Sequence, residues 1–329
     1  MKPDKHKALY IISIICIIIL IVILLCFVQQ NSGEKASAFP HEYGVFLRED
    51  SSDISMFSDY HAVVIDAANF TDEHITRLKR EGHEIYSYLN IGSIEDFRPY
   101  YNDYKSLTLS AYDNWEGEYW IDVSDSKWQN FITDTLVPSY INMGITNFFI
   151  DNCDVYYHYE SDDIYAGISS ILTSIKSQTS SANGETIING GDTYVTRYLN
   201  ENGSLDAVAD GVNQETVFTA IDFSGNTLST DNGTFSTDNG TFSTYNGTFS
   251  TDNGTFSTDN GTFSVDKGTF SVAKKADTNY YLSYLDKVSE SGSDIYILEY
   301  CNDSSLSKEI KKKCKQLGYT VYISSSLNL

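Results

Sequence analysis

The strongest constraint on this chain is a regular alternation of short apolar runs with helical segments. Eight runs have the composition of buried strands, at 43–47, 62–68, 84–93, 146–151, 185–190, 206–216, 294–300 and 320–324. The helical patterns between them cover 71–82, 125–143, 162–178, 192–200, 278–290 and 305–317. Because the strand-like runs are continuously apolar, they are typical of parallel strands buried on both faces. Eight such units predict a (β/α)8 TIM barrel.

The segment 62–90 has the sequence features of one strand–helix–strand unit. Thr71 can cap a helix that Gly82 ends, and an apolar run lies on either side,. A doubly wound open sheet is the alternative architecture. It has less support because no glycine-rich phosphate loop follows the first strand,.

A repeated heptapeptide, "TDNGTFS", interrupts the alternation between 230 and 270. Asn-Gly pairs favour turns and disfavour helices, which excludes a coiled coil despite the period of seven. We interpret 224–275 as a low-complexity insertion into one domain, 42–329. A lid or a sugar-binding surface built on the repeated Phe is the alternative. The Asn-Gly-Thr triplets are also glycosylation sequons, which matter in a host that glycosylates exported proteins.

The N-terminal region predicts attachment to a membrane. Residues 9–28 carry no charge, and at about 1.5 Å per residue they are long enough to span a bilayer,. Lysines in 1–8 predict a cytoplasmic N-terminus, with 29–41 as a tether to an extracellular domain,. The stretch "ASA" at 36–38 is a possible cleavage site, and cleavage after Ala38 would secrete the protein,. We favour a retained single-pass signal-anchor in the cell membrane.

Net charge and cysteine content exclude several classes of function. A formal charge of −23 disfavours nucleic-acid binding, since phosphates need Lys and Arg,. It fits either a solvated acidic surface or attraction of a cationic substrate. Beyond the apolar segment lie Cys153, Cys301 and Cys314, without a CxxC pair. They predict no zinc site and leave open which two, if any, form a disulfide.

Polar side chains follow most of the apolar runs, at the strand ends that form the site of a TIM barrel. They are Asp66, Asn90, Ser93, Asp151, Asp154, Asn189, Asn213, Gln214, Glu215 and Glu299. No histidine is among them, which excludes most zinc sites and a Ser-His-Asp triad,. We therefore predict neither a metal nor a cofactor.

Two of these carboxylates form the strongest candidate catalytic pair. Asp151 and Glu215 each follow a hydrophobic strand and lie among other polar strand-end groups. Paired carboxylates without histidine, beside aromatic residues, are typical of glycosidases. Helix capping is the alternative role for Asp66 and Asp122, and Asp154 is either a supporting or a merely solvated group.

The neighbours of this pair suggest separate roles. Asn152, Asn189 and Asn213 can donate hydrogen bonds that keep Asp151 ionised as the nucleophile. Glu215, beside Val217 and Phe218, has the drier setting that a proton donor needs,. Candidate sugar-stacking rings, for which core packing is the alternative, are Tyr86, Tyr88, Trp115, Trp120, Tyr156 and Tyr157.

Six stretches in order resemble glycoside hydrolase family 114, the endo-α-1,4-polygalactosaminidase-like barrels. They are "VVIDAANF", "IYSYLNIGSIEDFRP", "EYWIDV", "NFFIDNCDVY", "DGVNQET" and "ILEYCND". The resemblance covers nearly all of 42–329 outside the repeats. It implies a TIM barrel that cleaves galactosamine-containing polysaccharide, with catalysis by the residues that match Asp151 and Glu215. Two departures are Phe97, where many relatives are expected to have Trp, and the insertion soon after Glu215.

These observations predict a membrane-anchored, extracellular glycoside hydrolase. A partly deacetylated galactosamine polymer is cationic, so an acidic enzyme would attract it. Two alternatives remain at this stage. One is a non-catalytic carbohydrate-binding barrel, and the other is a structural cell-surface protein whose function lies in the repeats.

Overall fold

Eight parallel strands form a nearly closed barrel. The computed structural model describes residues 39–113, 115–223, 270–327 and 329, and between 227 and 269 the backbone of short strands only. The barrel strands, in spatial order, are β1 (His41–Phe46), β2 (Tyr60–Ile65), β3 (Glu84–Asn90), β7 (Asn147–Asp151), β8 (Thr186–Asn189), β9 (Gly211–Glu215), β18 (Asp294–Tyr300) and β19 (Thr320–Ser324). Each pairs in parallel with the next, and β19 returns to lie beside β1. The predicted β/α barrel is confirmed.

Helices alternate with these strands and occupy all six segments that the sequence predicts, whereas the short helices at 101–104 and 155–158 were not predicted. The helices are α1 (Asp72–Glu81), α2 (Tyr101–Tyr104), α3 (Ser126–Phe131), α4 (Val137–Asn142), α5 (Val155–His158), α6 (Asp162–Ser181), α7 (Asp192–Asn202), α8 (Lys275–Glu290) and α9 (Ser304–Leu317). A π-helical turn, Ile132–Leu136, joins α3 to α4, and 3₁₀ turns occupy Ile54–Asp59, Ala67–Asn69 and Lys105–Leu107. As predicted, Thr71 caps α1 by accepting from the His74 backbone, and Gly82 ends it at φ 98°.

The core has two layers, which explains why the strands are apolar throughout. Side chains that fill the inside of the barrel include Tyr43, Val45, Val64, Tyr86 and Phe149. Side chains that pack between the strands and the helices include Val63, Ile65, Phe148, Ile150 and Val212. Neighbours along a strand therefore face opposite layers.

A small antiparallel sheet after β3, which the sequence analysis did not predict, covers one side of the barrel opening. It consists of β4 (Ser93–Glu95), β5 (Thr108–Ala111) and β6 (Glu118–Ile121), with β6 in the centre. Gly92 lets this sheet approach the end of β7, because a Cβ atom at Gly92 would lie 1.8 Å from the Asn152 carbonyl oxygen. The close approach brings Glu118 to the barrel opening.

The repeats lie between two paired strands, β10 (Thr219–Asp222) and β17 (Thr269–Val272). Short strands of three to five residues occur between them, at β11 (Thr227–Thr230), β12 (Gly233–Ser236), β13 (Thr241–Ser243), β14 (Gly247–Thr251), β15 (Gly254–Thr258) and β16 (Thr262–Ser264). Those pairings are antiparallel. The sequence analysis assigned turns to the repeats, whereas a short strand also fits within seven residues.

The predicted anchor, 9–28, and the cleavage site at 36–38 lie outside the described residues. No helix in the described part of the chain is long and apolar enough to cross a membrane. Cys153, Cys301 and Cys314 are buried and carry free thiols.

Candidate active site

A pocket of about 390 Å³ opens where the carboxyl ends of the barrel strands meet. Its lining includes five of the ten polar strand-end residues that the sequence singles out, together with Glu118 and three aromatic side chains from neighbouring loops and α8. The polar lining residues are Arg48, Tyr88, Glu118, Asp151, Asn152, Asp154, Asn189, Gln214, Glu215, Thr216 and Tyr300, and the three rings are Tyr112, Trp115 and Tyr281. A pocket therefore lies at the end of the barrel where the sequence predicts the site.

One amide links the two predicted catalytic carboxylates. Asn189 Nδ2 donates to Asp151 Oδ1 at 2.8 Å and to Glu215 Oε1 at 2.9 Å. The two bonded oxygens are therefore no more than about 5.7 Å apart, close to the separation of carboxyl groups in retaining glycosidases. Asn213, buried below the pocket, fixes the orientation of this amide by donating to Asn189 Oδ1 at 2.6 Å.

Asp151 is held by donors that stabilise its ionised form. Tyr88 Oη donates to Asp151 Oδ2 at 2.9 Å, so each carboxylate oxygen accepts a hydrogen bond. Burial raises the pKa of Asp151, and the hydrogen bonds from Asn189 and Tyr88 oppose that rise. The donors therefore offset part of the cost of keeping a charge in a dry pocket.

Glu215 lies at the end of β9, in a setting that favours its protonated form. Burial raises the pKa of Glu215, and the negative charge of Asp151 raises it further. Hydrogen bonds from Asn189 and from Tyr300 Oη, the latter at 2.9 Å, act in the opposite direction. The chain then turns sharply, with Thr216 in the left-handed region at φ 55°. Burial and a neighbouring negative charge, which both favour the protonated carboxyl group, suit a proton donor.

Glu118, which the sequence analysis missed, is a third carboxylate at the pocket. Its Oε1 accepts from Asn90 Nδ2 at 3.0 Å, from Asn152 Nδ2 at 3.1 Å and from the Ser93 hydroxyl. Burial and the nearby Glu95 raise the pKa of Glu118 to about 7. The predicted binding residues Asn90, Ser93 and Asn152 thus hold a carboxylate in place. The available signal was that Glu118 opens the "EYWIDV" stretch.

Asp154 and Gln214 complete the polar lining. Asp154 Oδ2 accepts from the Gly191 backbone at 3.0 Å, and burial together with the charge of Asp151 raises the pKa of Asp154 to about 7. Gln214 Nε2 donates to the Glu215 carbonyl at 3.2 Å, and its Oε1 has no partner among the described residues. Both residues lie where the sequence analysis expected them.

Seven predicted binding residues lie outside the pocket lining. Asn90, Ser93 and Asn213 bond to side chains that line it, and three others have structural contacts of their own. Asp66 accepts from Arg98 Nη1 at 2.7 Å and caps a 3₁₀ turn, so the capping alternative holds. Asp122 accepts from the backbone and hydroxyl of Ser124. Trp120 is buried and stacks on Tyr112 with ring centres 4.1 Å apart, so it supports a pocket residue.

Glu299 also lies outside the pocket. It is fully buried, and its two carboxylate oxygens accept from the backbone amides of Phe218 and Thr219, each at 2.9 Å. The carboxylate therefore fixes the loop that leads into the repeats.

The exposed aromatic residues differ in their relation to the pocket. Trp115, 40% exposed, lines it, whereas Phe97, 72% exposed, lies outside it with the Arg98 guanidinium 5.0 Å from its ring centre. Among the residues that the structure describes, no group of three or more His, Cys, Asp or Glu side chains is placed to hold a metal ion.

Two partly buried carboxylates that share one amide donor, at the carboxyl end of a β/α barrel, are the arrangement of a glycoside hydrolase,. The sequence profile of glycoside-hydrolase family GH114 matches residues 29–196, just over half of the chain. The chain belongs to this family. The match includes Asp151 and Asn189 and ends before Glu215.

Two solved structures share the fold. The glycoside hydrolase domain of PelA from Pseudomonas aeruginosa is 13% identical, with a TM-score of 0.62, covering 88% of this chain and 97% of that one. Ega3 from Aspergillus fumigatus, solved as a complex with galactosamine, is 13% identical with a TM-score of 0.55, covering 87% of this chain and 91% of that one. A search of curated proteins finds no match.

Proposed function

We propose that this glycoside hydrolase cleaves galactosamine-containing polysaccharide, with Asp151 as the nucleophile and Glu215 as the proton donor. The observation that carries the proposal is the amide of Asn189 bonded to both carboxylates. Asp151 attacks the anomeric carbon while Glu215 protonates the leaving oxygen, and Glu215 then activates the water that releases the sugar. The short distance between the carboxyl oxygens supports a retaining mechanism.

The charge of the pocket supports a cationic sugar as the substrate. Four carboxyl groups line it, those of Asp151, Asp154, Glu118 and Glu215, against the single guanidinium of Arg48 among the described lining residues. The chain as a whole carries −23. An ammonium group on the sugar would neutralise part of this charge, and the bound galactosamine in Ega3 agrees with that chemistry.

Digestion of defined oligomers tests the proposed function. The purified protein is incubated with galactosamine oligomers, fully deacetylated or fully N-acetylated, and product masses are followed. We expect shorter oligomers, formed faster from the deacetylated series. Binding without any product would instead favour the non-catalytic carbohydrate-binding barrel. Neither binding nor product would contradict the proposed substrate class.

Glu118→Gln should weaken the preference for a free amine. The substitution keeps the shape of the side chain and an oxygen that can accept its three hydrogen bonds. It removes the ionised form of Glu118, which a nearby ammonium group would favour against the raised pKa of this carboxyl group,. We expect kcat/KM for deacetylated oligomers to fall by at least about tenfold, since a charged hydrogen bond is worth about 1.5–3 kcal/mol. The value for N-acetylated oligomers should change little.

Glu116→Gln is the matched control, because Glu116 is exposed two residues away and its loss changes the net charge equally. If both variants lose activity equally, long-range attraction explains the effect. If Glu118→Gln loses activity equally on both substrates, Glu118 does not recognise the amine.

We further propose that residues 9–28 anchor the enzyme with the barrel outside the cell, which their length and the preceding lysines support,. Protease added to intact cells should remove the barrel, while a tag placed before Lys2 stays protected. Mature protein that begins at Phe39 would show cleavage after Ala38 and contradict the retained anchor.

A further inference from the structure

The repeats join the barrel through a two-stranded ribbon, which we call the insertion stem. It consists of β10, on which the chain leaves the barrel, and β17, on which it returns. The strands pair antiparallel from Thr219 with Val272 to Asp222 with Thr269. Since Thr219 is only four positions after Glu215, the stem begins beside the proposed proton donor.

The returning strand of the stem contacts a residue that holds Glu215. The ring of Phe270 stacks on the ring of Tyr300, with centres 5.8 Å apart and planes at 29°. Tyr300 is 3% exposed, and its hydroxyl donates to Glu215 Oε2 at 2.9 Å. One aromatic contact therefore separates the stem from the carboxyl group that donates the proton.

The outgoing strand of the stem is fixed to the same barrel strand as Tyr300. The buried Glu299 carboxylate accepts from the Phe218 and Thr219 amides and, at 2.5 Å, from the Thr219 hydroxyl. The Thr219 hydroxyl oxygen accepts in turn from the Tyr300 amide at 3.4 Å. A fully satisfied buried network of this kind is rigid. Both strands of the stem thus converge on Tyr300.

We propose that the insertion stem positions the proton donor. Phe270 and Tyr300 are the positioning residues, and they set the orientation and the protonation state of the Glu215 side chain. This inference rests on the proposed role of Glu215. The Tyr300 hydroxyl stabilises ionised Glu215, so it lowers a pKa that burial raises. A displaced Tyr300 leaves Glu215 more firmly protonated and held by the Asn189 amide without the second hydrogen bond. The titratable groups that face Glu215 are Asp151, Tyr43, Tyr112, Tyr281 and Tyr300.

Three substitutions in the full chain test the proposal. Tyr300→Phe removes the hydroxyl, Phe270→Leu removes the stacked ring but keeps apolar bulk, and Val272→Ala is a control at a 66% exposed position of the same strand. The pH dependence of kcat/KM is measured on galactosamine oligomers and on an aryl galactosaminide with an activated leaving group. The alkaline limb of the plot of kcat/KM against pH reports the pKa of the proton donor in the free enzyme.

We expect Tyr300→Phe to move the alkaline limb to higher pH and to lower kcat on oligomers by at least about tenfold, within the range for general acid catalysis. Phe270→Leu should act in the same direction with a smaller effect. The aryl substrate should lose far less, since its leaving group needs little protonation. Val272→Ala should match the wild type.

An unmoved limb in both variants, or equal losses on the two substrates, would overturn the proposal and leave Phe270 with a packing role alone. A wild-type enzyme that cleaves neither substrate would instead contradict the proposed function.

A shortened chain provides a second test. Residues 223–268 are replaced by Asn-Gly, which joins the paired Asp222 and Thr269 through a two-residue hairpin turn,. The shortened protein should fold, and the alkaline limb of its kcat/KM profile should lie at the same pH as in the wild type. If that limb moves to higher pH by as much as in Phe270→Leu, the stem alone does not position Tyr300.

Discussion

Asp151→Asn is expected to lower kcat on galactosamine oligomers by at least about 100-fold, and Glu215→Gln by a similar factor, as for other essential groups in acid–base catalysis. Each substitution keeps the shape of its side chain and an oxygen that can accept from Asn189. Binding of the polymer and the melting temperature should therefore change little. Initial rates, binding isotherms and thermal melts of the two variants measure these effects.

The two variants should differ on a substrate with an activated aryl leaving group. Glu215→Gln should recover much of its first-step rate there, whereas Asp151→Asn should not, because the nucleophile is needed for every substrate. Asp122→Asn, outside the pocket, is the control. A loss below about tenfold, roughly 1.4 kcal/mol of barrier, would remove the residue from the catalytic pair. Asp154 and Glu118 would then be the next candidates, since both line the pocket.

Arg98→Met should cause the largest loss of stability that we predict. Arg98 is 9% exposed and bonds to Asp66 at 2.7 Å and to both carboxylate oxygens of Glu95, at 3.0 and 3.1 Å. Removing the guanidinium leaves two buried carboxylates without a counter-ion. Breaking a buried ion pair in this way costs about 3–5 kcal/mol, which corresponds to a fall of roughly 6–20 °C in Tm for a domain of this size.

Arg77→Met provides the comparison by thermal melting. Arg77 pairs with Glu81 at 2.9 Å on the exposed face of α1, where one helical turn separates them. Such a pair contributes about 0.3–0.5 kcal/mol, so Tm should fall by no more than about 2 °C. If the two variants melt within 2 °C of each other, the Arg98 cluster does not stabilise the barrel as its burial implies.

The barrel fold was predictable because its signals are local, and the same signals place the two carboxylates of the proposed catalytic pair at one end of the barrel. Continuous apolar runs marked the eight barrel strands, and Thr71 and Gly82 marked the ends of α1. Asp151 and Glu215 could be paired because both end strands of a parallel barrel, and such ends meet at one face.

The roles of the other site residues could not be predicted from their position at a strand end. They depend on which face of the strand each side chain occupies and on contacts with residues distant in sequence. In β18, Leu298 and Tyr300 face the inside of the barrel, so Glu299 between them faces outward and bonds to the stem. A shift of one residue in that assignment exchanges the two faces. Glu118 reaches the pocket through the register of a small antiparallel sheet, and Asp66 finds a partner 32 positions away in Arg98. The ion pair of Asp66 has no local signal, and for Glu118 the signal is its position at the start of the "EYWIDV" stretch.

The anomeric configuration of the first product tests the central claim most directly. Proton NMR follows an α-linked galactosamine oligomer during the first minutes of hydrolysis by the wild-type protein, before mutarotation. Two carboxylates bonded to one Asn189 amide predict cleavage with retention, so the α-anomer should appear first and the β-anomer only later. No new anomeric signal would contradict the assignment as a galactosamine hydrolase, and a β-anomer formed first would contradict the role of Asp151 as the nucleophile.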